Sequence, residues 1–183
     1  MSRTGPHDED TFGWHYRGGE RPPFAIAPRP GQESVWDYPR PPAIVSSERR
    51  VEVRLDSRVI ASTRNAFRVL ETAGAPTWYL PPETIDFDAL VAVESASFCE
   101  WKGVAQYWDV TDGRRRVARA AWGYPEAGGR FAALAGCVAF YCDRLDCRVD
   151  GRRAFAQPGG FYGGWVTPDV VGPFKGEPGT EGW

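Results

Sequence analysis

The stretch SFCEWKGVAQYWDVTDGRRRVARAAW, residues 97–122, decides the fold of this chain. Two turn signals interrupt it, Gly103 and the pair Asp112-Gly113, and an Asp-Gly pair between apolar runs is a strong hairpin signal. The segments between these turns are rich in β-branched and aromatic residues, which favour strands. We therefore predict three successive antiparallel strands, over residues 97–102, 104–111 and 114–122.

Strand signals continue on both sides of this centre. Val51, Val53 and Leu55 alternate with charged residues, as in a half-buried strand, and a turn at 56–57 makes this strand part of a hairpin. Further strands are predicted at 77–80, at 137–141 and, as a hairpin turning at Asp150-Gly151, at 147–155. Short helices are predicted at 65–71 and 131–134, and a turn or single helical turn around 84–90. Because no β-α-β alternation occurs, the predicted class is mainly β, a compact antiparallel domain.

The two ends of the chain differ in composition from its centre. Residues 1–30 mix charge, glycine and proline with few aliphatic side chains, which predicts a disordered tail. A single domain is predicted over residues 31–183, and it begins with the aromatic and proline-rich segment 33–42. Residues 158–183 are Gly/Pro-rich but contain several aromatic residues, so we predict an irregular wrap that closes one side of a pocket and brings Lys175 to it.

Composition and charge exclude several classes of protein. The net charge of −2 and the isoelectric point near 5.8 lack the basic field of a nucleic-acid-binding protein, so no nucleic-acid partner is expected. No stretch approaches the roughly 18 apolar residues of a membrane span, and the N-terminus lacks the apolar core of a signal peptide. We therefore expect a cytoplasmic protein without a membrane partner.

Histidine and cysteine usage narrows the chemistry. The only histidines, His7 and His15, fall in the predicted tail, which excludes a histidine general base, a Ser-His-Asp triad and a histidine-metal centre in the domain. Cys137, Cys142 and Cys147 are five residues apart, whereas the ligands of a zinc knuckle are two to four apart. We therefore expect no metal and no other cofactor.

Lysine usage singles out the sequence CEWKG at residues 99–103. Lys102 and Lys175 are the only lysines among 22 Lys+Arg residues, and each stands between an aromatic residue and a glycine. Lysine can lose its proton when it is desolvated, whereas arginine effectively cannot. On a strand, Glu100 and Lys102 would share one face. Two interpretations stay open, an exposed ion pair that stabilises little or a poised acid and base.

Several longer motifs together point to one family. They are ESVWDYPRPP (33–42), RVLET (68–72), YLPPE (79–83), SFCEWKG (97–103), AAWGYPE (120–126), AFY (139–141), VDG (149–151) and PGGFYGGWVTPDVVGPFKGEPGTEGW (158–183). With these motifs in this order, the chain resembles the bacterial and fungal family named domain of unknown function 427. The resemblance implies a compact β-rich fold, similar to the two-sheet β-tent.

Two properties that the resemblance would bring do not match the residues of this chain. Many β-tent proteins hold a structural zinc with two C-x-x-C knuckles, and the chain contains no C-x-x-C. The family also carries a nucleotidyltransferase-like label, and that chemistry needs paired carboxylates for Mg²⁺ after a glycine turn. Gly163-Gly164 is followed only by the single Asp169, and the pair Asp86 and Asp88 follows no glycine pair. Nucleotidyl transfer is therefore the least favoured function.

The remaining features favour a small-molecule ligand in an aromatic pocket on a β scaffold. Glu100 and Lys102 are the candidate catalytic residues of a cofactor-independent isomerase or lyase, with Glu100 as the base and Lys102 stabilising an oxyanion. The candidate substrate-binding residues are Trp36, Tyr38, Arg68, Glu71, Trp101, Trp122, Tyr124 and Lys175. The alternative is a non-catalytic peptide- or ligand-binding module, whose working surface would be residues 36–42 and the glycine-rich wrap.

Overall fold

The computed structural model describes residues 13–183, and β-strands dominate this part of the chain. In chain order the strands are β1 (Glu33–Ser34), β2 (Ala43–Ser47), β3 (Val51–Leu55), β4 (Arg58–Thr63), β5 (Ala66–Leu70), β6 (Thr77–Leu80), β7 (Leu90–Cys99), β8 (Gly103–Thr111), β9 (Arg116–Gly123), β10 (Val138–Phe140), β11 (Asp146–Val149), β12 (Arg152–Arg153), β13 (Phe155–Ala156), β14 (Trp165–Val166) and β15 (Val170–Val171). The helical elements of these residues are 3-10 segments at Val35–Asp37, Pro82–Thr84, Phe87–Ala89 and Gly129–Leu134. None of them has the length and hydrophobicity of a helix that crosses a membrane.

Two antiparallel sheets contain most of the strands. The larger has seven strands in the order β2-β5-β6-β10-β9-β8-β7, and the smaller has four in the order β12-β11-β3-β4. Two further pairs are β13 with β14, which is antiparallel, and β1 with β15, which is parallel and places Glu33 opposite Val170. The prediction of a mainly β, antiparallel domain is confirmed.

Alternation along the strands builds a core between the two larger sheets. Val51 and Val53 of the small sheet join Trp78 and Leu80 of the large sheet in one buried cluster. Because successive side chains on a strand point to opposite faces, Tyr79 lies on the other face of the large sheet. There it belongs to a second buried cluster, which carries the candidate site.

The predicted turns occur at their expected positions. The β3–β4 hairpin turns at residues 56–57, and the β11–β12 hairpin turns at Asp150-Gly151. The turns predicted around 84–90 are two of the 3-10 segments. The hairpin at Asp112-Gly113 also exists, but its loop spans residues 112–115, because Oδ1 of Asp112 accepts hydrogen bonds from the N–H groups of Arg114 and Arg115 at 2.8 and 2.7 Å.

The helix predicted at 65–71 is wrong, because these residues form strand β5. This strand pairs with β2 over five positions and with β6 on its other side. Phe67 and Val69 suit a pleated surface, and the two ladders satisfy backbone groups that a short helix would leave unpaired. Arg68 therefore lies on a strand, and Glu71 directly follows the strand.

The strand predicted at 97–102 ends three residues earlier than expected. Strand β7 stops at Cys99, which pairs with Gly103, and residues 100–102 form the turn to β8. Gly103 has a φ of 89°, a left-handed conformation that glycine adopts readily at the end of a three-residue hairpin loop. Glu100 and Lys102 therefore do not share a strand face.

The N-terminal segment packs on the domain over its described part. Residues 1–12 of the predicted tail lie outside the described residues. Tyr16 and Phe24 each contact Trp36 edge to face, with ring centroids 5.2 Å apart, and Phe24 stacks on Trp183 at 5.0 Å. The aromatic side chains of this segment and Trp183 therefore surround the fully buried Trp36.

The C-terminal segment forms the predicted irregular wrap. Trp165 is fully buried, and its Nε1 donates a hydrogen bond to the carbonyl of Phe140 at 2.8 Å. The side chain of Gln157 accepts from the N–H of Ala75 and donates to the carbonyl of Lys175, both at 2.8 Å. Trp165 thus anchors the wrap in the core between the two sheets, and Gln157 joins its two ends to the segment after β5.

Candidate functional site

A cavity of about 280 Å³ lies on the outer face of the large sheet. Strands β5, β6 and β9 contribute its floor, the β7–β8 hairpin one side, and residues 157–175 another. Trp14 of the N-terminal segment completes the lining. Segments far apart in sequence therefore meet at one site.

Four aromatic side chains form the apolar end of the cavity. The ring of Tyr79 lies 6.4 Å from those of Trp122 and Tyr124, and Trp122 lies 4.3 Å from Tyr141. Burial raises the pKa of Tyr79 and Tyr124, and it raises the pKa of Tyr141 to about 12. These phenols stay neutral at pH 7, so this end offers ring faces and O–H groups without charge.

Two glycines of the wrap lie close to this end. A Cβ atom at Gly163 would overlap the indole of Trp122, so the main chain passes directly against that ring. A Cβ atom at Gly164 would stand 2.5 Å from the carbonyl oxygen of Ala75 and from Oε1 of Gln157. Both positions thus require glycine because of this close approach.

Lys175, Glu71 and Arg40 form the polar end. The Nζ of Lys175 donates to Oε1 of Glu71 at 3.3 Å, and Nη2 of Arg40 lies 3.0 Å from the same oxygen. The guanidinium of Arg40 also donates to three main-chain oxygens, at 2.9 to 3.0 Å. Glu71 therefore faces two cations, of which Lys175 lines the cavity.

The ammonium of Lys175 lies among aromatic rings. The residue is 6% exposed, and its Nζ is 4.8 Å from the ring centroid of Tyr162 and 5.2 Å from that of Trp14. Burial lowers the pKa of Lys175, the charge of Glu71 opposes this effect, and the charge of Arg40 adds to it. This amine therefore gives up its proton more readily than an exposed lysine.

The β7–β8 turn brings Glu100, Trp101 and Lys102 to the cavity together. The Nζ of Lys102 lies over the ring of Tyr124, 5.3 Å from its centroid. The charge of Glu100 acts on the polar end, where it opposes the lowering of the pKa of Lys175 by burial. Glu100 and Lys102 thus act on opposite ends of the cavity.

Seven of the predicted site residues line this cavity, namely Glu71, Glu100, Trp101, Lys102, Trp122, Tyr124 and Lys175. The other three, Trp36, Tyr38 and Arg68, lie elsewhere. Trp36 is buried in the N-terminal aromatic cluster, where its Nε1 donates to the carbonyl of Pro173 at 3.2 Å, and Tyr38 is buried beside it.

Arg68 is separated from Glu71 by the geometry of the extended chain. Residues three apart on a strand point to opposite faces, so Val69 and Glu71 face the cavity while Arg68 does not. Arg68 instead forms an ion pair with Glu33 and lies over the ring of Trp78. Placing Arg68 and Glu71 in one site depended on the helix predicted at 65–71, which the structure replaces with β5.

Several lining residues were missed by the sequence reasoning, among them Trp14, Tyr79, Tyr141 and Tyr162. Tyr79 lies between the core residues Trp78 and Leu80, so the alternation of side chains along a strand would have assigned it to the outer face. Trp14 offers no comparable signal, because its segment has no periodic pattern.

Two of the carboxylates considered for nucleotidyl transfer are hydrogen-bonded to arginines and do not line this cavity. Asp86 accepts a hydrogen bond from Arg58 at 2.8 Å, and Asp169 accepts one from Arg49 at 2.6 Å. Within residues 13–183, no group of three or more His, Cys, Asp and Glu side chains is arranged to hold a metal ion.

Comparison with known proteins identifies the family. A search of the curated proteins finds none that matches this chain. A family model named NTP_transf_9 matches residues 43–151, which include the large sheet and the β7–β8 turn, whereas Lys175 and the wrap follow the matched region. Since the match covers more than half of the 183 residues, the chain belongs to the family described as Domain of unknown function (DUF427).

Proposed function

We propose that the chain binds a small organic molecule in this cavity, with an apolar part against Trp122 and Tyr124 and a polar group toward Lys175. The observation that carries the proposal is the convergence of the only two lysines of the chain, Lys102 and Lys175, on one aromatic cleft. Ligand sites combine apolar walls with a few polar groups in this way. A structural role would not require both lysines to face the same space.

The burial of three side chains in the segment 36–42 weighs against the peptide-binding alternative. Trp36, Tyr38 and Arg40 are 0%, 4% and 8% exposed, so they are not available as a working surface. The exposed Glu100 and the half-buried Lys102 both line the aromatic cavity, and this combination supports a small-molecule ligand instead.

Acid–base catalysis is a second candidate function, and the arrangement of Lys175 favours it. The sequence suggests Glu100 and Lys102 as base and oxyanion donor, but the hydrogen-bonded pair in the cavity is Lys175 and Glu71. Glu71 is placed to exchange a proton with the amine, and Glu100 supplies a second carboxylate from the turn. In this proposal Lys102 supplies a positive charge beside the ring of Tyr124 at the other end of the cavity.

Thermal unfolding in the presence of fractionated metabolite extracts tests ligand binding. The wild type is compared with Lys102→Met and Lys175→Met, and with Arg152→Met as a control that removes an exposed positive charge far from the cavity. A fraction should raise the Tm of the wild type and of Arg152→Met by several degrees, and the shift should shrink in both lysine variants. If every variant with normal folding keeps the full shift, the cavity is not the binding site.

A further inference from the structure

Lys175 is held in place more firmly than a surface lysine. Its N–H donates to the carbonyl of Ala73 at 2.8 Å, and its carbonyl accepts from the side chain of Gln157 at 2.8 Å. Both backbone polar groups of Lys175 are thus hydrogen-bonded to neighbouring segments. These hydrogen bonds fix the backbone of Lys175, and the contact of Nζ with Glu71 places the amine beside the cavity.

The amine retains unused hydrogen-bonding capacity at this position. An ammonium has three donors, and within residues 13–183 the structure gives Nζ of Lys175 one acceptor, Oε1 of Glu71. The ring centroids of Trp14 and Tyr162 lie 5.2 and 4.8 Å from Nζ and offer no hydrogen-bond acceptor of comparable strength. An arginine would satisfy the same ion pair with more hydrogen bonds, and arginine is the cation that this chain uses at every other position except 102.

We propose that Lys175 forms an imine with a small aldehyde or ketone whose carbonyl carries a planar apolar group, an inference that rests on the proposed ligand-binding function. The geometry matches this ligand class. The carbonyl carbon would meet the amine at the polar end, while the planar group would lie toward Trp122 and Tyr124. A cavity of about 280 Å³ holds one aromatic ring with a short substituent.

The reaction begins when the ammonium of Lys175 gives a proton to Glu71. The lone pair of the amine then forms the N–C bond, while the C=O π electrons move to oxygen, which takes that proton from Glu71. The carbinolamine nitrogen next gives a proton to the Glu71 carboxylate, and the hydroxyl group takes this proton from Glu71 and leaves as water. The nitrogen lone pair forms the C=N bond, so one ammonium and one carbonyl give one protonated imine and one water.

The charged groups around the amine suit this series of proton transfers. Burial favours the neutral amine that attacks, and Arg40 adds to this effect, whereas Glu71 and Glu100 favour the ammonium. Glu71 is 3.3 Å from Nζ, within reach of direct proton transfer. Lys102 serves as an internal comparison, since it is the other lysine of the same cavity.

Reductive trapping on the full chain tests the proposal. Benzaldehyde is added to the wild type with sodium cyanoborohydride, which delivers hydride to the imine carbon and leaves a stable benzylated amine. Peptide mapping by mass spectrometry then compares Lys175, Lys102 and the N-terminal amine. Benzyl alcohol, which lacks the carbonyl, is used alongside benzaldehyde to measure binding by saturation-transfer NMR.

We expect both compounds to bind and benzaldehyde to label Lys175 at least about tenfold faster than Lys102. Labelling should fall in Glu71→Gln and stay unchanged in Arg152→Met. Binding of both compounds with equal or no labelling of the two lysines would overturn imine formation and leave ligand binding intact. If neither compound binds, imine formation and the proposed ligand binding are both overturned for this ligand class. The mapping uses the wild type, so it does not depend on whether a Lys175 variant folds.

Discussion

The main chain at Gly163 lies directly against the indole of Trp122, so closely that any side chain at position 163 would overlap the ring. Trp122 is on strand β9 of the large sheet, and Gly163 is on the C-terminal wrap. Their contact fixes the distance between the floor of the cavity and the segment that closes it. The size of the cavity therefore depends on a glycine outside the matched region, 43–151.

Gly163→Ala should destabilise the protein and weaken ligand binding together. The added methyl group forces either the indole or the wrap to move, and overpacking of this kind costs about 1–3 kcal/mol. Urea denaturation measures the free energy of unfolding. Gly128→Ala is a suitable control, because Gly128 is exposed and a Cβ there meets only one atom, at 3.9 Å. Equal stability of Gly163→Ala and the wild type would contradict the close contact.

Glu71→Gln should lower the free energy of unfolding by roughly 3 kcal/mol, because it leaves two buried cations without their shared carboxylate. The side chain of Arg40 is 2% exposed, and that of Lys175 is 7% exposed. Denaturant titration at neutral pH measures this decrease in the free energy of unfolding. The comparison is Asp37→Asn, which breaks an ion pair with Arg21 whose two side chains are 46% and 43% exposed and should therefore matter much less. Similar losses in the two variants would show that Glu71 does not balance a buried charge.

The sequence predicts the hairpins of this fold because their signals are local. Alternation from Val51 to Leu55 and the pair Asp150-Gly151 specify strands and turns within a few residues. Residues 65–71 are different, since their composition permits a helix and only pairing with β2 and β6 selects a strand. The partner strands lie outside any local window, so the error follows from the non-local origin of the pairing.

The residues of the candidate site also divide into those with a local sequence signal and those placed by non-local packing. Lys175 was identified from its unusual residue type and its aromatic and glycine neighbours, and these features do not depend on the fold. Arg68 was assigned through a helix that does not form, and Trp14 was missed because nothing in its segment indicates which surface it will cover. A cavity between four distant segments is a property of their packing, which residue patterns along the chain do not encode.

Asp109 should make stability depend on pH in the acidic range. Its carboxylate accepts hydrogen bonds from the N–H of Arg119 and from Nε of Arg116, both at 2.7 Å. The N–H of Arg119 is the largest cause that lowers the pKa of Asp109 below its ordinary 3.8, and Arg116 adds to it. A carboxyl whose pKa is lowered by folding stabilises the native state above its ordinary pKa, and this contribution is lost as the pH falls through the lowered value.

Asp109→Asn should therefore cost about 1–3 kcal/mol at pH 7, and its difference from the wild type should shrink below pH 3.8. Urea midpoints measured from pH 7 down to pH 3 follow this difference. Asp143→Asn serves as the control, because Asp143 is exposed and its contact with Arg144 is 3.8 Å long. A difference between Asp109→Asn and the wild type that stays constant down to pH 3 would rule out the charge of Asp109 as its source.

Trp165→Phe tests whether the wrap folds together with the sheets. Trp165 is fully buried, packs near Trp78 with ring centroids 6.2 Å apart, and donates its Nε1 hydrogen to the carbonyl of Phe140 at 2.8 Å. Phenylalanine would keep most of the apolar contact but leave this buried carbonyl without its donor, at a cost of about 1–3 kcal/mol. Phe155→Leu, at a position that is 64% exposed, should change stability little.

Hydrogen exchange separates a local effect of Trp165→Phe from a global one. The amide of residue 165 donates to the carbonyl of Pro76 at 2.9 Å, and it exchanges only when this contact opens. If the wrap and the large sheet form one cooperative unit, exchange at position 165 and at Phe140 should accelerate by the same factor. Acceleration confined to position 165 would show that the wrap opens by itself, and Lys175 would then be exposed to solvent while the sheets stay folded.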